Sequence, residues 1–527
     1  MMARPWLITL AACIAYGVAA LVLGQDANWD LRNYHYYGPY AYFHDRLAID
    51  MAPAHVATFY NPLFHIPFYL MVNALPPKAV GVTLGVIQGL NAALLLAVAR
   101  RCLPMANPRV GFWSAAAAVA LGLTGAMSVS EIGTSYGDNL LSLLVLSSLW
   151  LLVRAVDRPE PLGWVAAAGV LAGAAVGLKL PMAAHGLGLA AACLLLPLAA
   201  GRRVQALIVF GLAGVAGVAL TDGFWLWEMT SRFDNPLFPY FNHVFNSPWA
   251  AAADYRDPRF LADTADKLLL SPLRAAFYDR AGAEVDYREP RLVVVFVLAL
   301  TVAGIAAARR LGVAVGPLRL HWHRPAAGNL VLLYAGVSWV IWAKLFGVYR
   351  YMVPLEMLLP LVALLLIDRF AAGARPKAIA AIVLLALALV LTRPARWERV
   401  PWADDYFGVR VPHLETPDQT LVLMAGQDAT AFVIPAFAPE VRFVRIQGYF
   451  TGPTDNPSRY DRLIAATIRD HRGPIHALFR GKWEIKEAQK ALAIHGLLLD
   501  KRACRPLVTH IDQGLAEPLA LCPVLRP

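Results

Sequence analysis

The chain has 527 residues, 58% hydrophobic and 16% charged, with a mean hydropathy of +0.52, a balance that excludes an ordinary soluble enzyme. Its net charge of +11 is dispersed in short basic clusters, which speaks against a nucleic-acid-binding face and for loops that set membrane topology. Apolar runs of roughly 18–20 residues recur, each long enough for a hydrocarbon core of about 30 Å, and predict an α-helical polytopic membrane protein.

The first apolar run follows a basic residue, as in a signal peptide, but no convincing small-x-small cleavage site precedes Gln25. It is read as a retained helix. The expected spans are 5–24, 79–99, 110–129, 139–153, 161–178, 183–200, 204–221, 291–308, 328–346, 353–367 and 377–392, about 11 in all. Arg100, Arg101 and Arg109 share one loop, and Arg154 with Arg158, then Arg202 with Arg203, fall in the next two on that side. Arg309, Arg310, Arg319 and Arg324 follow, then Arg369, Arg375 and Lys377. The positive-inside rule makes this face cytoplasmic, with the N-terminus in and the C-terminus out.

Every unusual polar cluster then falls on the outer face. Gln25 to Tyr37 carries Asp26, Asp30, Arg32, His35 and four aromatics directly after the first span. An aromatic belt accounts for the rings but not for the acids. Asp30 is the leading candidate for a general base, because low-dielectric surroundings move a carboxyl toward a useful pKa. Asp26, one turn earlier, reads as solvated or capping. The proline-broken run 59–72 suits an interfacial or re-entrant helix within the outer loop 25–78.

Glu131 and Asp138 flank a glycine-bearing outer turn. Asp138 either caps the next helix or joins Glu131 and Asp30 in orienting an acceptor hydroxyl or holding a divalent cation through oxygen ligands. Lys179 ends one apolar span and Arg350 begins another; both either snorkel or bind a phosphate. Glu356 is placed to hold Arg350. His35, His55 and His65 match no ligand spacing, and no phosphate-cradling glycine loop, nucleophile elbow or zinc motif occurs.

From about residue 393 the composition becomes that of a small soluble α/β domain, 393–527, which follows a transmembrane domain of residues 1–392 with outer loops 25–78 and 222–290. Strands are expected at 421–424, 442–446 and 475–479, a helix at 486–495 and a returning strand at 497–508. Cys13 and Cys193 lie in apolar spans and Cys102 on the cytoplasmic side. Cys504 and Cys522 are the only pair in the C-terminal region, and an oxidising compartment predicts a disulfide between them.

Acids in the first two outer segments and the late Arg350-Tyr351-Met352-Val353-Pro354 resemble the GT-C membrane glycosyltransferases, whose relatives include protein O-mannosyltransferases and the aminoarabinose transferases of lipid A. Gly223-Phe224-Trp225-Leu226-Trp227 with Asn235-Pro236-Leu237-Phe238-Pro239 is similar to bacterial members. The resemblance covers about residues 1–370. It implies a bacterial inner-membrane enzyme with a periplasmic domain, a polyprenyl-phosphate-linked sugar donor drawn from among membrane lipids, and inverting transfer to a glycan, lipid or protein acceptor. On that pattern Asp30 takes the acceptor proton and Lys179 and Arg350 stabilise the departing phosphate. Glu131 and Asp138 position the acceptor or a metal, and Asn33, Tyr34, His35 and Tyr351 line the substrate. Trp29-Asp30 lacks the second adjacent acid of the family pattern, which leaves metal dependence open. The rival is a polytopic transporter or a lipid-linked sugar flippase, against which stands the near absence of charge inside the spans.

Overall fold

The computed structural model describes residues 4–103, 107–278, 280–313, 320, 326–370, 373–513 and 517–527. Arg319 and Arg324, counted above as cytoplasmic, lie outside them. All of the expected apolar segments contain helix, but their lengths differ from eleven uniform spans. Six helices among the described residues are long and apolar enough to cross a membrane: Pro5–Leu23, Pro77–Cys102, Asp138–Ala155, Ala200–Phe233, Arg291–Arg310 and Ala326–Leu345. Tyr349–Glu356 and Leu359–Ile367 make a seventh only as a pair bent by 54°. The shortfall has local causes, since Lys179-Leu180-Pro181 ends Leu162–Leu178 at 17 residues and Pro354 and Pro360 open new turns within the bent pair.

Ala200–Phe233, at 34 residues, overshoots its expected span. At 1.5 Å per residue it runs roughly 50 Å, longer than a hydrocarbon core of about 30 Å, and it makes the start of the expected loop 222–290 helical. Trp225 on this extension donates its Nε1 hydrogen to Phe59 O at 2.8 Å, fastening the two outer segments together.

Small residues let the lower half of this helix lie against Leu162–Leu178. A Cβ on Gly173 would meet the Gly214 carbonyl, and one on Gly217 would meet the Val170 carbonyl. In lipid, where burying apolar area gains little, such close backbone approach supplies the packing energy. Gly173→Val is expected to destabilise by about 1–3 kcal/mol or more, read as a lower melting temperature in detergent. Gly163→Ala, whose Cβ has open space around it, should leave that temperature unchanged.

The remaining structure is a layer built around a sheet. β1 (Gln25–Asp26) pairs antiparallel with β2 (Arg399–Val400). β3 (Leu421–Met424), β4 (Arg442–Arg445) and β5 (Ile475–Arg480) are parallel, with β3 in the middle. β6 (Leu498–Leu499), β7 (Arg505–Leu507) and β8 (Leu519–Leu525) complete the six-stranded sheet, β8 pairing antiparallel with β5, β6 and β7. Cys504 and Cys522 are joined by a disulfide. The helix Arg459–Asp470 and strand β8 are additions to the elements expected from sequence. The first begins with a capping box between Ser458 and Asp461, a signal present in the sequence.

β3 is buried on both sides, as a central parallel strand should be. Val422 and Met424 face Leu31, Tyr36, Tyr37 and Phe432. Leu421 and Leu423 face Ile464 and Ile468 of the helix Arg459–Asp470 and Ala488 and Leu492 of the helix Gly481–Ile494. Residues of the segment 25–78 therefore form part of this layer's core. Met51 also bridges to Val444 beyond the edge strand β4, and buried Arg46 donates to Asp50 and to the carbonyl of Val441.

Candidate active site

Asp26 starts the site. It is 1% exposed and accepts four hydrogen bonds, from Asn28 N and Nδ2 at 3.1 and 2.6 Å and from Ser135 N and Oγ at 2.8 and 2.7 Å. The solvated or capping role expected for it is corrected: it fastens the first outer segment to the turn 131–137. Asn28 Oδ1 in turn accepts from Leu31 N at 2.8 Å, which starts the π-helical turn Leu31–His35, a widened geometry frequent at functional sites. Removing a buried carboxylate with four donors leaves those donors unpaired. Asp26→Ala is expected to lower stability by about 1–3 kcal/mol or more; an unchanged melting temperature would contradict the anchoring role.

The far side of the site is set by Glu356. Its carboxylate accepts from Met127 N at 3.2 Å and from Ser128 N and Oγ at 2.9 and 2.7 Å, and Glu289 accepts from Ala126 N at 2.9 Å. Two acids thus hold the N-terminus of the short helix Ala126–Ser130, where free N–H groups favour negative charge. The expected pairing of Glu356 with Arg350 does not form.

Arg350 instead binds the two acids of the outer segments. Its Nη2 donates to Asp30 Oδ2 at 2.7 Å, and its Nη1 lies 3.5 Å from Asp138 Oδ2. Its guanidinium lies between the rings of Tyr136 and Tyr351, at 4.6 and 4.9 Å from their centroids. Lys179 Nζ donates to Asp138 Oδ1 at 2.6 Å and sits 5.0 Å from the Tyr351 ring. His185 positions Tyr351 from behind, its Nε2 2.9 Å from the Tyr351 carbonyl. Asp138 heads its helix without capping it: the preceding position is Gly137, and the carboxylate is consumed by Lys179 and Arg350.

Two carboxylates and two cations therefore balance in one largely buried cluster. Burial pushes the Asp30 carboxyl above its usual range, with Arg350 and then Lys179 opposing. Glu131 stands apart, fully buried with neither carboxylate oxygen hydrogen-bonded. Burial and then the charge of Asp138 hold its carboxyl well above the usual range. Among the described residues Asp30, Glu131 and Asp138 form no group of side chains placed to hold a metal ion, and Asp30 and Asp138 each face a basic side chain.

The family model "Glycosyltransferase family 87" matches residues 58–340, more than half of the chain. The chain belongs to this family. It is a GT-C membrane glycosyltransferase, and the matched region contains Glu131, Asp138 and Lys179, while Asp30 and Arg350 lie on either side of it. Among solved structures, ArnT from Cupriavidus metallidurans bound to undecaprenyl phosphate is similar at 12% identity and a TM-score of 0.48, over 98% of this chain and 97% of that one. No curated protein matches the sequence.

The other expected site residues of this glycosyltransferase divide into two groups. Tyr351 reaches the cluster through its ring against Arg350, whereas the Tyr34 ring packs edge-on against His35, Tyr60 and His65. His35 is turned toward Ser135, its Nδ1 2.8 Å from that Oγ, and stacks on His65 at 4.1 Å. Burial and then His65 keep it well below the usual histidine range, so it is a neutral packing partner. Asn33 is buried with its Nδ2 donating to Ala54 O at 3.2 Å. Tyr136 joins the site, its ring 4.6 Å from the Arg350 guanidinium, without having been expected there; it lies inside the Glu131–Asp138 motif, where an aromatic beside acids is a signal.

Proposed function

We propose that this enzyme transfers a sugar from a polyprenyl-phosphate donor to an acceptor hydroxyl with inversion at the anomeric carbon, on the periplasmic face of a bacterial inner membrane. The observation that carries the reading is the convergence of Asp30, Asp138, Lys179 and Arg350, contributed by four separated segments, at the ends of apolar spans. A lipid phosphate lies at that depth, and a planar fork beside an ammonium is suited to it.

Arrival of the phosphate draws the Arg350 fork toward the donor and releases Asp30 Oδ2. Asp30 then takes the proton of the acceptor hydroxyl as its oxygen bonds to the anomeric carbon, and the bond from that carbon to the phosphate oxygen breaks on the opposite face. The electron pair leaves with the lipid phosphate, where Lys179 and Arg350 stabilise the developing charge. Asp138 keeps both cations in place, and Glu131 orients the acceptor. The transmembrane domain covers residues 1–392 with its N-terminus in, and 393–527 is the periplasmic domain, where an oxidising compartment maintains the Cys504–Cys522 bond.

The test is direct. Purified protein in nanodiscs, given a polyprenyl-phosphate hexose, should release polyprenyl phosphate in an acceptor-dependent manner and form a glycoside of inverted configuration. Retained configuration, or no donor consumption across hexose donors, would sink the reading.

A further inference from the structure

A second site lies where the segment 447–461 meets residues 250–255 of the outer segment that follows Ala200–Phe233. They enclose an open cavity of about 370 Å³, within the roughly 300–1,000 Å³ of small-molecule sites. Tyr255, Tyr449, Thr451, Asn456 and Tyr460 line it, and Asp461 is its one charged residue. Among the described residues no Lys or Arg lines it. The Asp461 carboxylate is already engaged, its Oδ2 accepting from Ser458 N at 2.8 Å and from Ser458 Oγ at 2.6 Å.

Thr451 is the decisive residue. It is 2% exposed, and its Oγ1 is buried without a hydrogen-bond partner. An orphaned hydroxyl in a protein interior is costly unless a ligand or water completes it. Phenol rings, an amide and hydroxyls with no cation suit the C–H faces and hydroxyls of a neutral sugar. A phosphorylated headgroup calls for Arg or Lys.

The cavity also points to the reaction centre. The Tyr449 ring on its wall stacks on His55 at 4.3 Å and tilts against Trp29 at 6.3 Å, and Trp29 directly precedes Asp30. We infer that this cavity is the acceptor subsite and that the acceptor presents a neutral saccharide chain rather than a phosphorylated group. The inference rests on the transfer reaction proposed above and specifies its acceptor.

Saturation-transfer NMR on the full chain in nanodiscs, with mannotetraose, maltotetraose and glucose 1-phosphate as probes, tests it. At least one tetraose is expected to bind, with affinity falling tenfold or more in Thr451→Val and in Asn456→Ala, the latter at an exposed position. Affinity for undecaprenyl phosphate, measured in parallel, should stay within twofold in both variants. Absence of tetraose binding, equal binding by both variants, or preference for glucose 1-phosphate overturns the acceptor assignment. Failure of the wild-type protein to bind undecaprenyl phosphate would instead overturn the donor reading, leaving the saccharide result to be judged separately.

Discussion

Asp30→Asn is expected to cut transfer by about 10²–10⁴-fold, the range a general base contributes, while binding undecaprenyl phosphate at least as tightly as the wild type. The second half distinguishes this mechanism from simple damage. Asp30 Oδ2 holds Arg350 Nη2 at 2.7 Å, and an amide is a weaker competitor for the fork than a carboxylate. The pH dependence follows with its sign. Asp30 accepts a proton only when ionised, and burial raises its pKa, so kcat/KM should rise with pH through a midpoint above the ordinary aspartate value of about 3.9. That acid limb should be missing from Asp30→Asn. Full activity in the variant would remove Asp30 from the chemistry.

Arg350→Met should have the largest combined effect. It removes the fork from the donor phosphate and leaves Asp30 and Asp138 facing Lys179 alone. Breaking a buried pair by deleting one partner costs about 3–5 kcal/mol, so a lower melting temperature accompanies lost activity. Arg350→Lys separates the two effects. It retains a positive charge between Tyr136 and Tyr351 but loses the planar two-donor geometry. Its melting temperature should recover most of the loss, while undecaprenyl phosphate affinity stays roughly tenfold or more below wild type. Equal affinity in Arg350→Lys and wild type would show that charge alone, not the fork, binds the donor.

Asp30, Asp138, Lys179 and Arg350 are legible in the sequence as candidates because charge at the end of an apolar span is costly and rarely idle. Their pairing is not. Sequence offers local partners first, so Glu356, two turns further along the chain, presents itself as the partner of Arg350. The bend of 54° between Tyr349–Glu356 and Leu359–Ile367 accompanies Glu356 bound to the helix Ala126–Ser130, while Arg350 meets residues 320 and 212 positions away. Asp26 looks solvated in the sequence for a related reason: its partner Ser135 is 109 residues distant.

The sequence by itself determined that the chain crosses a membrane several times, that acids and bases gather at the ends of its apolar spans, and that its C-terminal region alternates strands and helices. Hydrophobic run length and residue periodicity are local properties, and those carry such conclusions. Tertiary structure decided which acid meets which base, that the first outer segment completes the core of the C-terminal sheet, and that the segments around residues 250 and 450 enclose a polar cavity. These depend on contacts between residues far apart in the chain, such as Arg350 with Asp30 and Arg46 with Val441. No stretch of sequence contains that information alone.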